Sequence, residues 1–117
     1  MTALLADPEL DPRIRIALQA LEIATLLALN DTRAVPQRLE RLRAAVQSQP
    51  QDFQVGWSFA GSKRFIATDQ RLAPHRGWLQ TLFTALEGEN RDAILAALDG
   101  VREKLTQREP RYRAIVE

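Results

Sequence analysis

The chain has 117 residues, 45% of them hydrophobic and 26% charged. That size suits one folded domain, with disorder confined to loose ends at 1–10 and 109–117. A net charge of +1 supplies no global field to attract nucleic acid or a membrane surface. The lack of cysteine rules out disulfides and thiolate metal sites and is compatible with a cytoplasmic setting.

Met1 to Pro12 has no basic region or cleavage pattern, so it does not read as a signal peptide. Asp11-Pro12 is a helix start, an N-cap acceptor followed by proline at the first helical position. Two faces follow: Ile14, Ala17, Leu18, Leu21 and Thr25, and beside them Ile16, Ala20, Ile23, Ala24 and Leu27. Such a wide arc belongs at the centre of a core or between neighbours. Arg15, Gln19 and Glu22 make the segment too polar for a membrane span. Asn30-Asp31-Thr32 breaks the pattern, and a second helix should start at Pro36, with Leu39, Leu42 and Val46 as its seam and Val35 as a staple on Leu39. The short connection favours an antiparallel αα-hairpin.

The stretch from Phe53 to Phe83 holds six of the seven aromatic residues, the sole histidine and several cations. Phe53, Val55, Trp57 and Phe59 alternate with polar or small residues, which is a strand signal, so a β-hairpin over 53–67 is one reading. The reading preferred is a third helix from about Phe53 to Ala67, because a lone hairpin is marginal and Ala60-Gly61-Ser62 is a poor hairpin turn. A fourth helix should run from about Pro74 to Glu87 on Trp78, Leu82, Phe83 and Leu86, with Gly88 closing it. Asn90 then caps a fifth, whose Ile94, Leu98, Val101 and Leu105 recur at helical spacing until Pro110. Thr25–Val46 and Thr81–Val101 share a layout of apolar helix, polar break and amphipathic helix. The expected architecture is all-α: about five short amphipathic helices as a bundle or as αα-hairpin repeats, one domain over 1–117.

Chemistry is harder to place. His75 has the titration range of an acid–base catalyst, but no nucleophile–base–orienter set or second histidine accompanies it in the pattern. Glu89 and Asp92 flank a helix start, where negative charge is favourable anyway. Gly61-Ser62-Lys63-Arg64 lacks the glycine lead-in and residue order of a phosphate loop, though Lys63 and Arg64 can meet an anion. No catalytic residue, metal site or cofactor is expected. Residues 32–76 carry eight cations against three anions. With Trp57 or Trp78 to stack on bases, they give a nucleic-acid- or anion-binding accessory protein as the alternative function. The preferred expectation is a non-catalytic protein–protein interaction module, a homo-oligomer or an adaptor in a larger complex. Its contact candidates are Trp57, Phe59, Lys63, Arg64, Arg71, His75, Arg76 and Trp78, because Trp and Arg are enriched at binding hot spots.

Overall fold

The computed structural model describes residues 11–31 and 33–108. Its elements are α1 (Pro12–Ala28), α2 (Val35–Gln47), α3 (Ala60–Thr68), a 3-10 helix (Gln70–His75), α4 (Arg76–Gly88) and α5 (Arg91–Arg108). No strand occurs among the described residues, so the all-α expectation holds and the β-hairpin does not form.

Local chemistry sets most of the helix ends. The Asp11 carboxylate accepts the Arg13 N–H at 2.8 Å and Pro12 opens α1. At its other end Asn30 adopts φ 58°, the left-handed region open to asparagine at modest cost. There the Asn30 N–H donates to Leu27 O and the Asp31 N–H to Leu26 O, pairing two carbonyls that the last turn leaves open. The Asn90 side chain accepts the Ala93 N–H at 3.1 Å and so caps α5.

Helix packing follows the periodicity. In α1 the inward residues include Ile16, Ala20, Ile23 and Leu27, while Leu21 and Leu26 pack at the edge of the core. In α2 they are Val35, Leu39, Leu42 and Val46; in α5 they are Ile94, Leu98, Val101 and Leu105. Helix α2 lies against α1 on one side and α5 on the other; α5 packs on α4, and α4 on α3 and the 3-10 helix. Contacts from α1 to the 3-10 helix and α4 close the circuit. The two segments with a common layout thus span two αα-hairpins, α1–α2 and α4–α5. Among the described residues no polar or charged residue is fully buried, so the core is apolar throughout.

The third helix differs from expectation. It begins at Ala60, and residues 53–59 form an extended strap instead. Gly56 in the strap has φ +70°, which a continuing helix does not allow. Val55 and Phe59 turn inward, and the Gly56 N–H reaches the Leu86 carbonyl at the end of α4. The alternation of Phe53, Val55, Trp57 and Phe59 is not realised as a strand: Val55 and Phe59 are buried but Trp57 between them is exposed. The fourth helix starts at Arg76, two residues later than expected, because Pro74 is accommodated in the 3-10 turn before it.

Candidate interaction surfaces

The strap and α3 are held by α4. The Glu87 carboxylate accepts the Phe59 N–H at 2.8 Å, at the N-cap position of α3, and also the Lys63 ammonium. Negative charge there satisfies an orphan donor and meets the positive end of the helix. The Lys63 hydrogen bond, then that of the Phe59 backbone, hold the Glu87 carboxyl below the usual glutamate range. At the other end of α3, the Arg76 guanidinium donates to Ile66 O at 3.0 Å and Asp69 O at 3.4 Å, closing the last carbonyls. Arg71 doubles back on Asp69, which also caps the 3-10 helix through the Arg71 N–H.

These contacts divide the eight contact candidates. Phe59 is 6% exposed and meets Phe83 edge-on, with ring centroids 5.4 Å apart; it belongs to the core. Lys63, Arg71 and Arg76 are engaged in the intramolecular contacts just described. His75 is half-buried, its ring edge-on to Trp78 at 4.9 Å. Trp57 and Arg64 remain exposed, and Arg64 makes no ion pair among the described residues. The sequence reading left out Phe65, which α3 turns outward at 39% exposure, close to the 38% of Trp57. The signal for it was Ile66: once that residue faces the core of a one-sided helix, its neighbour Phe65 is displaced from the core by a turn of about 100°.

The arginine-rich region is likewise divided. Arg38 pairs with Glu22 of α1 at 2.7 Å, and Arg43 with Asp99 of α5 at 2.8 Å. Arg102 approaches Glu40 at 3.4 Å, an ion pair between α5 and α2 without hydrogen-bond geometry. Part of the cation excess of residues 32–76 is thus met by carboxylates on neighbouring helices. Exposed pairs of this kind contribute little stability individually, but they use up cations a polyanion would need. Among the described residues no group of three side chains is placed to hold a metal ion, and no helix is long and apolar enough to cross a membrane.

A second surface runs along α4 and α5. An open groove of 720 Å³ lies over Gly77, Thr81 and Thr84 of α4 and Ala93, Ala96 and Ala97 of α5, with Gln80 and Glu89 at its margins. A further hollow of 650 Å³ continues it past Gly77 and Thr81 to Pro74, Trp78, Lys104 and Gln107. The indole N–H of Trp78 is buried and has no acceptor among the described residues. No family model, curated protein or solved structure matches this chain.

Proposed function

We propose that this chain is a non-catalytic helical module that works by protein–protein contact, as a self-assembling subunit or an adaptor in a larger complex, in the cytoplasm. The observation that carries this reading is the exposure of Trp57 and Phe65 on the strap and α3, where the other described aromatics are buried or half-buried. Aromatic side chains provide large desolvated anchors at low conformational cost, and an arginine such as Arg64 with no internal ion pair provides a polar rim. Nucleic-acid binding has less support, because Arg38, Arg43, Lys63 and Arg76 are engaged between elements of the fold and Arg71 is paired with Asp69.

The test is a set of parallel affinity captures with the wild-type chain and with Trp57→Ala, Phe65→Ala and Arg64→Glu. The expected result is a protein retained by wild type and lost by the variants, with the helical circular-dichroism spectrum unchanged. Equal retention by all four chains overturns this assignment of the surface.

A further inference from the structure

We propose that the α4–α5 groove is a self-association site that takes the same two helices of a second copy in antiparallel register. This rests on the reading that the chain works through protein contact, and it identifies the partner at a surface separate from Trp57 and Phe65.

Along α5, Ala93, Ala97, Gly100, Lys104 and Gln107 recur at +4, +3, +4 and +3. Along α4, Gly77, Thr81, Thr84 and Gly88 recur at +4, +3 and +4. That is the seam spacing of helices that pack along their length, with side chains small enough for close approach. The fold itself does not call for glycine here: a Cβ added at Gly77 or Gly100 meets nothing within 4 Å. Glycine is nonetheless the least favourable residue but proline in a helix interior, where Gly100 sits. The Thr81 hydroxyl is already donated to Gly77 O at 3.1 Å, so covering it strands no donor.

Charge selects the occupant. Glu89 stands at one end of the groove and Lys104 at the other, and neither has an ion pair among the described residues. The midpoint between positions 89 and 104 falls between Ala96 and Ala97. The midpoint between Ala93 and Gly100 falls at the same place. A two-fold axis there sets Ala93 of one copy against Gly100 of the other, and Glu89 of one against Lys104 of the other, twice over. Self-complementarity of this kind is the requirement of an isologous dimer. The incoming Glu89 arrives at the hollow that Trp78 lines together with Lys104.

The experiment is sedimentation velocity over a wide concentration range on the wild-type chain, Gly100→Leu, Glu89→Lys and the double variant Glu89→Lys/Lys104→Glu. A Cβ at position 100 meets nothing within 4 Å in the monomer and leucine is a good helix former, so folding is preserved while close approach is blocked. Wild type is expected to dimerise. Gly100→Leu and Glu89→Lys should each weaken the dimer about tenfold, and the charge-swapped double variant should recover it. The Trp78 indole N–H resonance should move with concentration while that of Trp57 stays. Because the chain has no cysteine, Ala97→Cys should oxidise to a linked dimer and Ala44→Cys on exposed α2 should not. A monomer at every concentration overturns the proposal, as does a double variant no better than Glu89→Lys. None of these substitutions touches Trp57, Arg64 or Phe65, so partner capture through that surface would survive the failure of self-pairing.

Discussion

Phe59 and Phe65 offer the same side chain in two environments, so replacing each by alanine isolates the effect of placement. Phe59 is 6% exposed and packs edge-on against Phe83, whereas Phe65 is 39% exposed on the outer side of α3. Removing a fully buried phenylalanine forfeits its transfer energy, its aromatic pairing and some cavity energy, together about 3–4 kcal/mol. At Phe65 only part of the ring is covered, and alanine is the better helix former by about 0.5 kcal/mol, which leaves a cost of about 1 kcal/mol. The gap of about 2–3 kcal/mol corresponds to roughly 10 °C in melting temperature for a domain of this size. Urea and thermal denaturation followed by circular dichroism measure both. Equal losses in the two variants, or a larger loss at Phe65, would refute the division of the aromatic cluster into core and contact surface.

Two further outcomes test how the strap and the α4–α5 hairpin are held. Glu87 titrates below its ordinary range in the folded chain, so its contribution is complete above about pH 4.3 and is lost as pH falls through the lowered folded value. Glu87→Gln should therefore lose less stability than wild type between about pH 5 and pH 3, although Asp11 and Asp69, also lowered by their arginine partners, keep some acid sensitivity in both chains. Matching pH profiles for the two proteins would contradict the latch. Asn90→Ala should cost about 1 kcal/mol by urea denaturation, since it removes the cap at the start of α5; no change would mean that the first turn finds another acceptor.

The parts legible in the sequence were those set by local spacing. Asp11-Pro12, Asn30 and Asn90 mark helix ends because the chemistry that satisfies the backbone lies within a few residues. Ile94, Leu98, Val101 and Leu105 mark a buried face because their period is that of the helix. The strap was not legible as such. Its left-handed Gly56 and its bond to Leu86 O depend on α4, thirty residues away, and so does the capping of Phe59 by Glu87. The candidate contact residues were only partly legible for the same reason. Composition shows that Trp57, Phe59 and the nearby cations cluster in sequence, but which of them the fold uses up is decided by Glu87, Phe83, Asp69 and the carbonyls of Ile66 and Asp69. Phe65 escaped hydropathy, because only the burial of Ile66 in a nine-residue helix shows that its neighbour faces out. The α4–α5 groove was invisible to hydropathy, since its small residues carry little signal and Glu89 and Lys104 gain meaning only when the two helices lie side by side.

Action through protein contact is tested by size-exclusion chromatography with light scattering on material not treated with nuclease. Absorbance is recorded at both protein and nucleic-acid wavelengths. The expected result is a protein-like ratio and, as concentration rises, a mass approaching twice the 13.2 kDa of one chain. A nucleic-acid-rich peak that collapses on adding salt would contradict it and return the function to the arginines of residues 33–76.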